Sequence, residues 1–194
     1  MAKLVVSILS SLDNYCAGPG GRLDNLPMGP AFEAHNLDLM RNAGTLLFGA
    51  VTFPMFEAYW PNVDRSPSGE PIKREIADRV DASQKVVVSN SLVVPRKSPW
   101  ASTEVVRRER AHALIADLKA KAGRDLLIFG SHVLFNSLLE HGLVDEFHLL
   151  VGNVVLGEGV RVFEPGLSAR FRILGHRQLA DSDIAALHYD CRPQ

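Results

Sequence analysis

The sequence predicts an α/β protein with a mainly parallel central sheet flanked by helices and antiparallel strands at its C-terminal edge. Three observations carry this. Short apolar runs alternate with amphipathic segments up to residue 140, the pattern of helices laid over a parallel sheet. The runs 45–49, 85–89 and 125–130 carry little charge and end in Gly or polar residues, as strands buried on both faces do. Beyond residue 146 come strand-like runs without intervening helices. The last two are joined through Ala180–Asp183, short enough for an antiparallel hairpin.

Taken in order, Lys3–Leu9 reads as the first strand. Leu12–Pro30 reads as a long loop, because it carries Gly18-Pro19-Gly20-Gly21, Pro27 and Gly29-Pro30. Loops of that length are more often functional than idle. A helix follows over Ala31–Asn42, with Gly44 placed as a C-terminal stop, then a strand over Thr45–Gly49. Thr52–Trp60 reads as a short helix that tolerates Pro54 only in its first turn. Asn62–Pro71 is rich in Pro, Ser and Gly and reads as an exposed loop. Ile72–Val80 is a surface helix, and Lys85–Ser89 and Thr103–Arg107 are strands. In Glu109–Ala122 the residues Ala111, Leu114, Ile115, Leu118 and Ala122 share one helical face, and Gly123 ends the helix. Asp125–Gly130 is a strand running directly into a helix over Ser131–Glu140. Glu146–Val151, Arg170–Leu179 and Ala185–Cys191 complete the sheet.

The chain has 194 residues, within the range of one domain, so residues 1–194 are expected to form a single unit. Hydrophobic residues make up 46% and charged residues 22%, which excludes a disordered chain. The 21 basic and 22 acidic residues leave a net charge of −1, so no nucleic-acid partner is expected. The longest apolar runs are too short to span a bilayer, and no membrane partner is expected. Residues 1–9 read as a strand rather than a signal peptide. The two cysteines, Cys16 and Cys191, fit free thiols in a reducing compartment, so a cytoplasmic location is expected.

Several chemistries lack their motifs. There is no G-x-G-x-x-G opening a helix, no P-loop, no H-E-x-x-H and no G-x-S-x-G. No H-x-E with P-C-x-x-C is present, so zinc-dependent deamination is not expected. Gly157-Glu158-Gly159 follows a strand but opens no helix. The seven histidines show no metal-ligand spacing, and no metal is expected.

What remains is a set of strand ends. Gly49 through Thr52, Ser89-Asn90-Ser91 and Gly130-Ser131 each end a predicted strand in small or polar residues. In open α/β sheets ligands bind outside the carboxyl ends of the strands. Gly130 admits a ligand close to the backbone, and Ser131 adds a hydroxyl beside the free N–H groups of the next helix, which favour a phosphate oxygen. The three ends together would suit a nucleotide lying across the sheet edge. Each glycine also has a purely structural reading as the way a chain turns.

These residues resemble a family. Ser11-Leu12-Asp13-Asn14 resembles the S-L-D-G signature of dihydrofolate-reductase-like proteins, and in particular the reductase half of the bacterial riboflavin-biosynthesis deaminase–reductase and its stand-alone relatives. Leu46–Phe53 resembles that family's L-L-G-R-x-T-Y segment, Trp60-Pro61 its W-P, and Lys85–Ser89 its K-x-V-x-S strand. Ile128–Ser131 resembles its V-x-G-S turn, and Leu143–Glu146 with Val155–Val160 its L-V-D-E…V-L-G-x-G. The matches occur in family order from residue 4 to about residue 164.

The resemblance implies a dihydrofolate-reductase-like fold, a homodimer, and NADPH lying extended across the sheet while a C=N or C=O bond of a pyrimidine or pterin-like heterocycle is reduced. By matching position, Gly49 and Thr52 would contact the cofactor near its central phosphates. Ser89, with Asn90 and Ser91, would lie towards the adenosine ribose, and Gly130 and Ser131 would cradle the pyrophosphate. Asp13 would face the nicotinamide and substrate; as a residue it reads equally as a turn-forming carboxylate. Glu33 follows Leu26-Pro27 at about the place where dihydrofolate reductases keep a lone carboxylate. It is either a proton carrier or a first-turn glutamate favoured by the helix dipole. The family has Arg where Ala50 stands, so NADPH preference needs another cation for the 2′-phosphate, from Arg96-Lys97 or Arg107-Arg108, or it is weakened and NADH is admitted as well. Asn14 replaces the family's glycine at a turn, and Asn tolerates left-handed backbone. The expected activity is reduction of a pyrimidine or pterin-like heterocycle such as the riboflavin precursor. Dihydrofolate reduction is the alternative, and a non-catalytic nucleotide-binding protein is the alternative of another class.

Overall fold

The computed structural model describes residues 1–192, so the last two residues of the expected 1–194 unit lie outside it. The elements are β1 (Leu4–Ser10), β2 (Tyr15–Ala17), α1 (Pro30–Asn42), β3 (Ala43–Gly49), α2 (Thr52–Tyr59) and α3 (Pro71–Ala82). They continue with β4 (Gln84–Val88), β5 (Glu104–Val106), α4 (Arg108–Lys121), β6 (Asp125–Phe129), α5 (His132–Glu140) and β7 (Glu146–Val151). Last come β8 (Val160–Arg161), β9 (Arg172–Gln178) and β10 (Ala185–Asp190). Eight strands form one sheet in the order β5-β4-β3-β6-β1-β7-β10-β9. The first six are mutually parallel, and β10 and β9 are antiparallel additions.

Every residue of β1 is buried, and its alternation divides the core. Leu4, Val6 and Ile8 pack with Ala111 and Ile115 of α4 and Phe135 and Leu138 of α5. On the other face Val5 packs with Leu37 and Met40 of α1, Ile76 and Val80 of α3 and Phe53 of α2. Ser7 is the polar exception on that face; its hydroxyl donates to Asn36 Oδ1 of α1 at 2.8 Å, so neither buried group is unpaired. The expected α4 face is the observed one, with Leu114, Leu118 and Ala122 half-buried against the same cluster. Pro54 lies at the third position of α2, in its first turn.

The Leu12–Pro30 loop is more structured than expected. Tyr15–Ala17 pairs antiparallel with Val160–Arg161 to form a separate two-stranded sheet, and Pro19–Gly21 makes a 3-10 turn. The pairing partner lies far along the chain, and three residues give no readable period. Asn14 adopts φ 69°, so the turn that favours glycine is kept by Asn. Gly159, at φ 138°, lies against this loop so closely that a Cβ would collide with the Ala17 carbonyl oxygen. Gly157-Glu158-Gly159 thus serves loop-to-loop packing. Arg170 and Phe171 precede β9 rather than belonging to it. Among the described residues no helix is long and apolar enough to cross a membrane.

Candidate functional site

Strands β3 and β6 are adjacent and parallel, so their carboxyl ends open at the same sheet edge. Gly130 adopts φ 57°, and Ser131, the residue before α5, adopts φ 47°. Two successive left-handed residues turn the chain sharply from β6 into α5 and aim the Ser131 side chain across at β3. There the Gly49 N–H donates to Ser131 Oγ at 3.1 Å. A Cβ on Gly49 would lie 3.6 Å from the Ser131 side chain, and one on Gly130 would lie 3.9 Å from Thr52 Oγ1. Gly49, Thr52, Gly130 and Ser131 therefore meet, and the N-termini of α2 and α5 begin beside them. Neither helix has a side-chain cap, which leaves the first N–H groups of α5, and those of Thr52 and Phe53 in α2 ahead of Pro54, for an anion.

Ser89 is part of a different construction. Its Oγ accepts the N–H groups of Ser91 at 3.2 Å and Leu92 at 2.9 Å, and its own N–H donates to the Val106 carbonyl. This side chain holds the turn after β4. Asn90 Oδ1 accepts the Arg108 N–H at 2.9 Å, capping the start of α4. Asn90 and Ser91 are exposed, and Arg107 and Arg108 are exposed beside them. Of the two basic pairs considered as replacements for the missing Arg, Arg96-Lys97 and Arg107-Arg108, it is the second that the Asn90 hydrogen bond ties to this turn.

The two candidate acids differ. Asp13 accepts the Leu156 N–H at 3.0 Å and the Gly157 N–H at 2.7 Å, fastening the loop after β1 to the loop after β7. The Ser11 hydroxyl and these backbone donors hold its carboxyl down at about 2. Such a group is a fixed anion near neutral pH, and its oxygens are occupied. Glu33 lies in the first turn of α1, the end of that crossover helix which meets the carboxyl edge of the sheet. Its side chain is half-buried, and Lys73 Nζ of α3 is 3.9 Å away. Burial raises its pKa, opposed by Lys73 and reinforced by Glu70.

A cleft of about 690 Å³ runs along the other side of α1 to the β9–β10 turn. Met28, His35, Asp38, Ile72 and Arg177 are among its lining residues, but the glycine cluster is not. Beyond it, on the β7–β10 face, His35, His148 and His188 pack in a row with ring centroids 5.2 and 4.0 Å apart. Burial pushes His148 down to about 3 and His35 to about 4, aided by their cationic neighbours. His188 Nε2 lies 2.9 Å from Glu146 Oε2, and Lys3 Nζ donates to Glu146 Oε1 at 2.6 Å. Sequence spacing missed this assembly because it is a register effect. Positions 146 and 148 share one face of β7, and His188 is the direct cross-strand partner of His148.

The model of the RibD C-terminal domain matches residues 2–184. The chain belongs to this family. A relative in Bacillus subtilis (strain 168), the uncharacterized protein YyaP, is 25% identical over 83% of this chain and 80% of its own length. Among solved structures, a putative riboflavin biosynthesis protein from Shewanella sp. PV-4 superposes with a TM-score of 0.70 at 25% identity, covering 100% of both chains. Dihydrofolate reductase from Enterococcus faecalis, solved with NADP(H), has a TM-score of 0.62 at 12% identity, covering 97% of this chain and 95% of its own. The fold is therefore dihydrofolate-reductase-like, as the motif order implied.

Proposed function

We propose that this RibD C-terminal family member is an NADPH-dependent reductase of a pyrimidine or pterin-like heterocycle, acting in the manner of 5-amino-6-(5-phosphoribosylamino)uracil reduction. The observation that carries the reading is the meeting of Gly49, Thr52, Gly130 and Ser131 where two uncapped helices begin. A pyrophosphate suits such a place because backbone N–H groups and two helix dipoles favour negative charge there. Ala50 offers no guanidinium, so the 2′-phosphate is assigned to Arg107 and Arg108, which the Asn90–Arg108 hydrogen bond holds beside the turn after β4. The cofactor, when bound, supplies the hydride.

This chain's residues hold and orient the reactants and handle the accompanying proton. Glu33 is assigned that proton, because burial keeps its protonated form accessible. Asp13 is assigned the shaping of the loop that closes over the substrate, since both of its oxygens are engaged. The family resemblance also implies a homodimer, with the exposed strand β9 as the surface offered to a second copy; light scattering of the purified protein measures it.

The deciding experiment is titration with NADPH and NADH, followed by ligand fluorescence and the rise in melting temperature. A ligand of the folded state at 100 times its Kd stabilises by about 2.7 kcal/mol. The expected result is micromolar NADPH binding, much weaker NADH binding, and loss of that preference in the Arg107→Ala/Arg108→Ala double variant. Absence of binding by the folded protein overturns the reading, and binding without oxidation of NADPH by any heterocycle in a screen that includes dihydrofolate selects a nucleotide-binding protein instead. With a substrate in hand, Glu33→Gln should lower kcat by about 10²–10⁴-fold, the usual contribution of a positioned acid or base.

A further inference from the structure

We propose that Glu146, His148 and His188 form a binding site for a divalent first-row transition metal such as Zn²⁺, joining β7 to β10. Each residue offers one ligand atom, and these atoms all lie within 4.8 Å of one another. The backbone enforces the grouping. Glu146 and His148 are two apart on one face of β7, and His188 stands opposite His148 in the antiparallel register. Two imidazoles and a carboxylate suit Zn²⁺ and its neighbours, whose bonds to N and O are about 2.0–2.2 Å.

The remaining hydrogen bonds are arranged as an outer shell would be. Glu146 uses Oε1 for Lys3 at 2.6 Å, which fixes the carboxylate and leaves Oε2 facing His188 Nε2 at 2.9 Å. An ion between that pair replaces one hydrogen bond and leaves the Lys3 contact intact. Among the described residues His35 Nε2 is buried without any partner, and its ring lies next to His148. His148 is 9% exposed while the His188 side chain is 32% exposed, so the site is lined on one side and open on the other. The rings of His148 and His188 are stacked, with 18° between their planes. Convergence of both rings on one ion requires one of them to tilt out of the stack, and His188 is the more exposed of the two.

The site lies across β1 from Gly49 and Gly130, and its test does not depend on the reductase reading. The metal-stripped full chain is titrated with ZnCl₂ by calorimetry and with CoCl₂ by visible absorption, in a buffer free of chelators. The expected result is one ion per chain, a cobalt spectrum of low-symmetry N/O coordination, and a zinc-dependent rise in melting temperature. His188→Ala and His148→Ala should each weaken binding by more than the 10–100-fold typical of losing an outer partner, and Lys3→Met by about 10–100-fold. His141→Ala should leave binding unchanged, which separates this site from the stacked His112–His141 pair on the surface. His188→Gln, which keeps a polar side chain at a partly open position, guards against a variant that fails to fold. Circular dichroism verifies folding of each protein. No ion bound by the folded wild type overturns the proposal. So does zinc binding that survives both His148→Ala and His188→Gln in folded proteins.

Discussion

The two ends of the main sheet are built by different rules. From β5 to β7 the strands are parallel and mostly covered by helices on both faces. Residues such as Phe48, Leu126 and Ile128 have no exposure at all. Beyond β7 the strands turn antiparallel; β10 keeps only the cover of the first half of α1, and β9 is left exposed. Six of the seven residues of β9 are exposed, and the face of β7 and β10 carries histidines, Glu146 and Asp190. The parallel end is held by apolar area, whereas the antiparallel end adds charged pairs to a smaller apolar cluster around Leu150, Leu179, Ile184 and Ala186. Asp190 accepts from Arg172 and Arg192, each at 2.8 Å, and His188 meets Glu146. The parallel end brings strand ends together at an edge and so makes a ligand cradle. The antiparallel end brings side chains together on a face and so makes a cluster of ligating atoms.

The largest effect that tests this contrast is in the cores. Phe48, which meets Phe53 and Phe56 edge-on at 5.7 and 5.1 Å, is fully buried. Phe48→Ala should cost about 3–5 kcal/mol in urea unfolding. Leu174→Ala on β9, 42% exposed in the wild type, should stay within about 0.5 kcal/mol. A comparable loss at Leu174 in the monomeric protein would mean that β9 is packed after all, and the division would fail.

A smaller effect separates the glycines of the two ends. Gly130 has φ 57°, so Gly130→Ala should cost about 1–2 kcal/mol through backbone strain and weaken NADPH binding as well. Gly175 in β9 borders a register shift against β10 but is not left-handed, and nothing within 4 Å would touch an added Cβ. Gly175→Ala should therefore be neutral or gain a few tenths of a kcal/mol, because glycine loses more chain entropy on folding. Paired unfolding curves of the two variants read the difference directly.

How legible each end is in the sequence follows from the same contrast. The parallel end announces itself, because a strand buried on both faces must be a short apolar run and a covering helix must show an apolar stripe. Thr45–Gly49, Asp125–Gly130 and the α4 face were readable for that reason. The glycine cradle was half-readable: its residues follow from strand ends, but the Gly49–Ser131 hydrogen bond needs the knowledge that β6 inserts between β3 and β1. Arg107 and Arg108 were visible as one of two basic pairs that could meet a phosphate, and what ties them to the turn after β4 is Asn90, a cap seventeen to eighteen residues away in sequence. The histidine row could not be read at all. No spacing rule links residues 35, 148 and 188, and only the pairing of β7 with β10 and the crossing of α1 bring them together. The roles of Asp13 and of the Val155–Val160 segment were unreadable for a related reason, since each is defined by the other across a loop-to-loop contact.

That contact supplies the subtlest test, because Asp13 fastens the end of β1 to the chain leaving β7, the strand where the two regimes meet. Its folded pKa is lowered from 3.8 to about 2. A lowered acid pKa means that the anion is favoured by folding, so the contribution is fully present above about pH 4 and fades as the pH falls towards 2. Asp13→Asn keeps one carbonyl acceptor but no charge. The variant should be less stable than the wild type at neutral pH, and the gap between their urea midpoints should narrow steadily from pH 4 to pH 2. The exposure of the site makes the difference small, and salt should reduce it further. A gap that stays constant through that window would show that the carboxylate charge contributes nothing, leaving the seam held by backbone pairing alone.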